Sequence, residues 1–293
     1  MTTVRLRRAT DSRAQVYPAM ILLAAGFGAL AIVAYLALAT MVGQRVDERA
    51  RWAVTMPHSG LSTILDVLAV VSIGTIAVSM AVFVVTAVVR RRWLVGAAAV
   101  LLVAGANITT QALKYSLLNR PDFGIGTQNS LPSGHTTVVT SLGLAALLVF
   151  PRIWRPALVA MAAALATFVG AGTLVNGWHR PSDVVAAYAV CAFWGGVTLV
   201  TMAGVAPPVT RAEPNAPGPV GRRYLVWAVT GSASVGAVFV VLGIGYRGLT
   251  TNLVLAVVSL AVIGLTSASV TASVAGAADR VVAEQRTRVV ASG

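Results

Sequence analysis

Eight long apolar stretches, separated by short breaks rich in arginine and proline, constrain this chain more than any other feature. A helix needs about 20 mostly apolar residues to cross the hydrocarbon core of a bilayer. Only 11% of the residues are charged, whereas a typical soluble domain carries about a quarter. The sequence therefore predicts a membrane protein with spans at 17–43, 61–89, 93–113, 134–150, 156–177, 182–206, 224–246 and 251–275.

The apolar residues are mostly small and aliphatic, since aromatic residues account for only 6% of the chain. This composition favours closely packed helices over a β-barrel, whose interfaces carry aromatic girdles. We predict an all-α, polytopic membrane helix bundle with a six-helix core and two extra C-terminal transmembrane helices. The predicted divisions are a basic N-terminal segment (1–16), the core (17–206), a Pro-rich linker (207–223), a two-helix extension (224–275) and a polar tail (276–293).

The basic residues predict the orientation of this bundle. There are 22 of them, and Lys114 is the single lysine. With eight spans, fifteen fall on the side of the termini and seven on the other, so the positive-inside rule places both termini in the cytoplasm. The arginines are scattered between apolar segments, which argues against nucleic acid as a partner. The expected location is a bacterial plasma membrane.

The segment Pro132–Ser133–Gly134–His135 precedes the fourth apolar stretch. Proline followed by serine is typical of a helix N-terminus, with Ser133 as the N-cap, and Gly134 lets the backbone come close to a ligand. Free N–H groups and the helix dipole bind anions at such a position, so we expect His135 to face a phosphate. An ordinary capped helix with an interfacial histidine is the alternative.

A second helix start is predicted at His179–Arg180–Pro181–Ser182–Asp183. Pro181 suits the first helical position, and the carboxylate of Asp183 can then reach back towards His179. A carboxylate that holds one imidazole nitrogen raises the basicity of the other, which makes His179 a candidate nucleophile. The alternative is that Asp183 only provides a favourable negative charge at the helix start.

Two cations come before these segments. Lys114 ends the third apolar stretch, and Arg120 is followed by Pro121 in the next loop. Beside a helix N-terminus, these cations would clamp a phosphate, whereas the alternative is a snorkelling lysine and an ordinary loop arginine. Two histidines and an aspartate could in principle bind a metal, but the cations favour an anionic substrate over a divalent ion.

Together the three elements resemble the signature of the type 2 phosphatidic acid phosphatase superfamily, the lipid phosphate phosphatases, whose site is shared by vanadium haloperoxidases and some acid phosphatases. That signature is a Lys followed by Arg-Pro, then Pro-Ser-Gly-His, then Ser-Arg-x5-His-x3-Asp. All three parts occur in order between Lys114 and Asp183. The resemblance covers the six-helix core and not the last two helices.

The resemblance implies a role for each matching residue. His179 would attack phosphorus and form a phosphohistidine, Asp183 would orient it, and His135 would protonate the leaving group and later help to activate water. Members of the family need no metal or other cofactor, which agrees with phosphoryl transfer by positioning and charge stabilisation. The residues expected to hold the phosphoryl oxygens are Lys114, Arg120, Ser133 and the amide of Gly134.

Two positions depart from the family pattern. Lys114 and Arg120 are separated by five residues instead of the usual six, which would rotate a lysine on a helix by about 100°. Where the family has arginine, six residues before His179, this chain has Thr173, preceded by Gly172 where serine is usual. One phosphate-binding cation is therefore missing, and Arg180 is the predicted substitute.

The prediction that results is an integral membrane phosphatase acting on a lipid phosphomonoester or diphosphate in the outer leaflet. Candidate substrates are polyprenyl phosphate or diphosphate, phosphatidate and phosphatidylglycerophosphate. The same residues would also suit a lipid phosphotransferase, or a catalytically impaired protein that binds or transports lipid phosphates. The expected partners are the substrate lipid and the lipids of the bilayer.

Overall fold

The computed structural model describes residues 2–56, 66, 68–69, 73–125, 128–205, 220–247 and 252–291. In these residues the regular structure is helical, with no β-strand, which confirms the predicted all-α bundle. The described residues form nine α-helices: α1 (Thr2–Ala34), α2 (Met41–Val54), α3 (Ile73–Val89), α4 (Trp93–Ala112), α5 (Gly134–Val149), α6 (Arg155–Val175), α7 (Pro181–Val205), α8 (Val220–Arg247) and α9 (Leu253–Ala291).

Most of these helices have the length and composition of membrane spans. Two predicted spans correspond to shorter apolar helices, Gly74–Val89 and Gly134–Val149. For the predicted span 61–89, most of the N-terminal part lies outside the described residues. The architecture is that of a multi-pass membrane protein. Six segments of the described chain are long and apolar enough to cross a membrane: Val16–Ala39, Trp93–Leu117, Arg152–Val175, Pro181–Val205, Arg222–Gly245 and Leu253–Val281.

The first span ends earlier than the sequence predicts. A π-helix, Tyr35–Ala39, is followed by Thr40, whose backbone is extended at φ −118° and ψ 134°. The hydroxyl of Thr40 accepts the N–H of Gly43 at 3.0 Å and so caps α2. Residues 41–43 therefore belong to α2 and not to the span 17–43. Charged residues follow closely along α2, which distinguishes this helix from the apolar spans.

Two boundaries near the C-terminus also differ from the prediction. Residues 220–223, predicted as the end of the linker, form the start of α8 because Pro219 is the last proline before it. The remainder of the predicted linker lies outside the described residues. The predicted tail 276–293 begins inside a helix, since α9 continues to Ala291, and the side chains of Ala277, Ala278 and Val281 are buried.

Helix α7 occupies the centre of the core, where it packs against α1, α4, α5 and α9. Its contact with α1 is close because two glycines leave room for the neighbouring backbone. A Cβ atom on Gly26 would lie 2.4 Å from the nitrogen of Phe193, and one on Gly196 would lie 2.5 Å from the nitrogen of Leu23. Small residues permit this approach between membrane helices. The packing fixes the position of the N-terminus of α7, next to His179.

The two C-terminal helices pack into the core, with α8 against α6 and α9 against α5, α6 and α7. A buried group of charges, which we call the Asp279 cluster, joins them to it. Asp279 of α9 pairs with Arg155 and, at 2.7 Å, with Arg152, and it accepts the hydroxyl of Tyr224 at 2.6 Å. Arg155 also donates to the carbonyl of Leu147 at 2.9 Å. The Asp279 cluster lies at the end of the bundle opposite to the starts of α5 and α7.

Candidate active site

The N-termini of α5 and α7 meet at one end of the bundle, which we call the site end. The backbone N–H of Ser133, just before α5, donates to the carbonyl oxygen of Asp183 in the first turn of α7 at 2.9 Å. This bond joins the predicted second and third parts of the signature directly. The positive ends of two helix dipoles therefore converge at the site end, a favourable environment for an anion.

The start of α5 has the geometry that the sequence predicts. The hydroxyl of Ser133 accepts the N–H of Thr136 at 3.4 Å and the hydroxyl of Thr136 at 3.0 Å, so Ser133 is the N-cap. Gly134 and His135 form the first turn, where backbone N–H groups have no intrahelical acceptor. The His135 ring packs against Trp178 with their centroids 5.7 Å apart, and His135 lies within electrostatic range of His179 and Lys114.

The end of α6 is a helix C-cap that comes directly before His179. Gly177 has φ +68°, a left-handed conformation that glycine adopts without strain. Its N–H donates to the carbonyl of Leu174 at 2.8 Å, and the N–H of Trp178 donates to the carbonyl of Thr173 at 3.0 Å, which is the pattern of a Schellman motif. The N–H of His179 also donates to Thr173, at 3.3 Å. The backbone that carries His179 is therefore anchored to the end of α6.

His179 and Asp183 are in contact. Nδ1 of His179 lies 3.1 Å from Oδ2 of Asp183, and both side chains are buried. The same oxygen accepts the N–H of Arg180 at 2.9 Å, as in one half of a capping box, and the hydroxyl of Ser130 at 2.6 Å. Because an ionised carboxylate only accepts hydrogen bonds, Nδ1 of His179 is the donor in this contact, which leaves Nε2 free of it.

The first motif continues α4 at the same end. Lys114 lies in a π-helix, Leu113–Leu117, and its Nζ is 5.7 Å from the centroid of the Tyr115 ring. The side chain of Asn129 donates to the carbonyls of Lys114 and Leu118 at 3.2 and 3.1 Å, which ties this turn to the loop before α5. The shorter spacing to Arg120 is therefore accompanied by a widened helical turn at the lysine.

Arg120 is buried, with only 4% of its surface exposed. Burial lowers the pKa of its guanidinium, and the positive charge of Arg180 lowers it further, against the negative charges of Asp47, Asp183 and Glu48. Two arginines are thus close enough to repel each other in a partly desolvated site. An anion between them would relieve this repulsion, which is the arrangement expected of a phosphate site.

The threonine that replaces the third-motif arginine does not point to a phosphate. Thr173 is fully buried, and its hydroxyl donates to the carbonyl of Gly170 at 2.8 Å within its own helix. Arg180, which the sequence nominates as the substitute, lies next to the His179–Asp183 pair. Its Nε donates to Oε2 of Glu48 at 2.8 Å, and its Nη1 donates to the hydroxyl of Ser130 at 3.0 Å.

Helix α2 supplies functional neighbours that sequence reasoning missed. Asp47 accepts the N–H of Ser182 at 3.1 Å through Oδ1 and its hydroxyl at 2.5 Å through Oδ2. Glu48 pairs with Arg180 and with Arg51, and Arg51 donates to the carbonyl of Gly177 at 2.9 Å. These contacts bind α2 to both sides of His179. The available signal was the spacing of polar residues along one helical face: Gln44, Asp47, Glu48 and Arg51.

The pKa values of Asp47 and Glu48, the two acids of α2, are shifted in opposite directions. Burial and the negative charge of Asp183 raise the pKa of Asp47 to about 6, although the hydrogen bonds from Ser182 act against the shift. Burial also acts to raise the pKa of Glu48, but its hydrogen bond from Arg51 and the charge of Arg180 outweigh this and lower it. Glu48 is therefore the ionised partner of Arg180 at neutral pH.

The described part of the chain contains no group of three or more His, Cys, Asp or Glu side chains placed to hold a metal ion. The eight residues that the sequence singles out all lie at the site end, on three elements. They are Lys114 and Arg120 around the loop after α4, Ser133, Gly134 and His135 at the start of α5, and His179, Arg180 and Asp183 at the start of α7. The arrangement suits binding of an anion beside an imidazole whose Nδ1 is held by a carboxylate.

Comparison with known proteins finds a family model that matches this region. The family model of the PAP2 superfamily matches residues 95–205, which include α5, α6 and α7 and nearly all of α4. This match confirms the resemblance drawn from the three motifs. Neither the curated proteins nor the solved structures provide a match to the chain. Helices α1, α2, α8 and α9 lie outside the matched residues.

Proposed function

Because residues 95–205 belong to the PAP2 superfamily, which suggests phosphatase activity on phosphate esters, we propose that this protein is an integral membrane lipid phosphate phosphatase. It hydrolyses a lipid phosphomonoester or diphosphate through a phosphohistidine and requires no metal. The observation that carries the proposal is the contact of His179 Nδ1 with Asp183 Oδ2 at 3.1 Å, beside two converging helix N-termini. It leaves Nε2 of His179 as a nucleophile where an anion binds best.

In the first step, Nε2 of His179 attacks phosphorus and the bond from phosphorus to the leaving oxygen breaks. His135 gives its proton to that oxygen, so that the lipid alcohol or lipid phosphate leaves in its neutral or less charged form. The bond of Asp183 to Nδ1 stabilises the positive charge that develops on the His179 ring. His135 is now unprotonated and ready to act as a base.

In the second step, water attacks the phosphohistidine from the side opposite to His179. His135 takes a proton from this water, the P–N bond breaks, and its electron pair returns to Nε2. Inorganic phosphate is released and both histidines regain their starting state. His135 thus serves once as acid and once as base, which is what a reaction with two sequential displacements requires.

The phosphoryl oxygens are held by amides and cations. In the proposed complex, the N–H groups of Gly134 and His135 donate from the first turn of α5, while Lys114, Arg120 and Arg180 supply positive charge. Ser133 contributes as the N-cap that fixes this turn, and its hydroxyl proton remains for the substrate. Donors that are fixed in place before the reaction stabilise the charge of the transition state, and this usually contributes more to the rate than any other single effect.

A lipid substrate follows from where the site lies. The site residues lie at the ends of apolar helices, and two of these, Trp93–Leu117 and Pro181–Val205, are long enough to span a bilayer. A headgroup at the site can therefore leave its tail among the helices. The excess of arginine on the opposite side supports a site on the extracytoplasmic face of the plasma membrane, with both termini in the cytoplasm. The substrates that we propose are polyprenyl phosphate or diphosphate, phosphatidate or phosphatidylglycerophosphate.

The test is release of phosphate from a panel of these lipids by the purified protein in detergent or liposomes, with EDTA present. We expect turnover by the wild-type protein and none by His179→Ala, and acid-labile labelling of the wild-type protein by a radioactive substrate. Labelling with transfer to an added alcohol, instead of release of phosphate, would indicate a phosphotransferase. Binding of the lipids without turnover at any pH would indicate a lipid-phosphate-binding protein.

A further inference from the structure

The third motif lacks its arginine, and the arginine next to His179 bonds a helix outside the family match. At position 173, where the family signature has arginine, a buried threonine donates its hydroxyl to Gly170 within α6, and its carbonyl accepts the N–H groups of Trp178 and His179. The cation adjacent to His179 is Arg180 instead. It approaches from the N-terminus of α7, and not from α6, so a different set of contacts must hold it in place.

Two oxygen atoms fix the guanidinium of Arg180. Oε2 of Glu48 accepts Nε at 2.8 Å, and the hydroxyl of Ser130 accepts Nη1 at 3.0 Å. The remaining terminal nitrogen, Nη2, makes no hydrogen bond to any residue in the described ranges, although only 9% of the residue is exposed. A guanidinium held at two of its nitrogens thus retains donors in a fixed direction, which is how arginine binds a phosphate oxygen.

The same contacts reach the nucleophile. Ser130 accepts from Arg180 and donates to Oδ2 of Asp183, which in turn holds His179. Glu48 is the only acidic partner of Arg180 among the described residues that form ion pairs, and it lies on α2, before the matched region. The connection therefore runs from Glu48 through Arg180 and Ser130 to the His179–Asp183 pair.

We propose that Glu48 is a positioning residue that holds Arg180 as the phosphate-binding cation in place of the arginine absent from position 173. This inference rests on the proposed function, because it concerns the same phosphate. Glu48 does not touch the substrate. Glu48 fixes the direction of the guanidinium and offsets part of its positive charge when no phosphate is bound. On this proposal, α2 contributes to the catalytic centre.

Glu48 also binds Arg51, so a purely structural role in fastening α2 has to be distinguished. The experiment is a double-mutant cycle with Glu48→Gln, Arg180→Gln and the double variant. Arg49→Gln is the control, since Arg49 is an exposed neighbour on the same helix. The readouts are kcat/KM for phosphate release from the lipid panel and the affinity for inorganic phosphate, measured as a shift of the unfolding midpoint.

We expect Glu48→Gln to lower both kcat/KM and phosphate affinity about tenfold, because Arg180 loses a charge-assisted hydrogen bond. Arg180→Gln should lower them about a hundredfold, and the double variant should equal Arg180→Gln alone, since Glu48 acts only through the arginine. Two results would overturn the inference: effects of the two changes that multiply, or a Glu48→Gln protein that matches Arg49→Gln in both readouts.

The phosphate-binding readout separates this inference from the proposed function. If the wild-type protein binds inorganic phosphate in a Glu48-dependent way but hydrolyses no lipid, the proposed function fails and the inference stands. If it hydrolyses lipids and Glu48→Gln changes neither readout, only the inference fails. Should Glu48→Gln not fold, Arg180→Lys is the second variant. It keeps the charge but lacks the rigid planar fork that bonds Glu48 and Ser130 and still directs a third nitrogen, and full activity would overturn the inference.

Discussion

Two hydrogen bonds join Asp47 of α2 to Ser182 of α7. Oδ1 of Asp47 accepts the backbone N–H of Ser182 at 3.1 Å, and Oδ2 accepts its hydroxyl at 2.5 Å. Through this contact α2 contributes a carboxylate to the first turn of α7. A negative charge at a helix N-terminus is favourable, but here it is buried close to a second carboxylate, Asp183. The contact therefore makes the stability of the site depend on pH.

We expect the variant Asp47→Asn to remove this dependence. Burial and Asp183 raise the pKa of Asp47 from 3.8 to about 6 in the folded protein, so the folded state binds the proton more tightly than the unfolded state. The contribution of Asp47 is thus fully present below pH 4 and is lost as pH rises through 6, by up to about 3 kcal/mol. The measurement is the unfolding midpoint of both proteins from pH 4 to 8.

In that experiment the unfolding midpoint of the wild-type protein should fall relative to that of Asp47→Asn as the pH rises from 4 through 6. At higher pH the two midpoints should differ by a constant amount. The asparagine amide can still accept from the Ser182 N–H and donate to its hydroxyl, so the contact itself survives. A difference between the two proteins that stays constant from pH 4 to 8 would show that folding does not raise the pKa of Asp47, and would contradict the prediction.

Ser130→Ala should reduce the rate of the chemical step. The serine hydroxyl bridges Arg180 and Asp183, and its loss leaves each with one fewer hydrogen bond in a buried site. A hydrogen bond to a charged group contributes about 1.5–3 kcal/mol, so we expect kcat to fall at least about tenfold, with a smaller change in KM. The control is Ser116→Ala, an exposed serine in the π-helix at the site end. Equal kcat values for the two variants would contradict this role of Ser130.

Gly177→Ala tests the turn that sets the backbone position of His179. The left-handed backbone at φ +68° costs an L-residue about 1–2 kcal/mol, and the new Cβ would lie 3.2 Å from Cγ2 of Thr55. We expect a lower unfolding midpoint together with reduced kcat, since the Schellman motif precedes His179 directly. Gly28→Ala is the matched control, because a Cβ on Gly28 meets no atom within 4 Å and should leave both quantities unchanged. Identical behaviour of the two variants would refute the prediction.

Asp279→Asn should separate stability from catalysis. Arg155 is only 1% exposed, and loss of its partner leaves a buried charge without compensation, at a cost of about 3–5 kcal/mol. The unfolding midpoint should fall well below that of the control Arg280→Gln, whose side chain is exposed. Activity measured below the midpoint should be close to wild type, because the Asp279 cluster is at the opposite end from His179. A selective loss of activity with unchanged stability would contradict this.

The local parts of the site could be read from the sequence, whereas the contacts between distant segments could not. The N-cap at Ser133 and the Pro181–Asp183 helix start depend on neighbouring residues, and the structure has both helix starts where the sequence predicts them. The predicted end of the first span is too late because apolar residues continue to Val42, whereas the break at Thr40 is a change of backbone conformation. The same prediction leaves Asp47 and Glu48 in a loop.

The bonds from Asp47 to Ser182 and from Glu48 to Arg180 connect residues that are more than a hundred positions apart. No spacing rule predicts such pairs, although the polar face of α2 is visible in the sequence. The Asp279 cluster was missed for a similar reason. Asp279 lies in the segment predicted as a polar tail, and only the packing of α9 against α6 shows that its carboxylate is buried.

The hydrogen bond from the Ser133 N–H to the Asp183 carbonyl restricts the routes by which any molecule can reach the two histidines. It joins main chain to main chain, so the gap between α5 and α7 cannot widen without breaking backbone pairing. The loop between α4 and α5 and the helix α2 are attached to the site largely by side chains, which can exchange partners one at a time. A substrate of the proposed kind would therefore enter past these two segments, while the pair of helices α5 and α7 stays fixed.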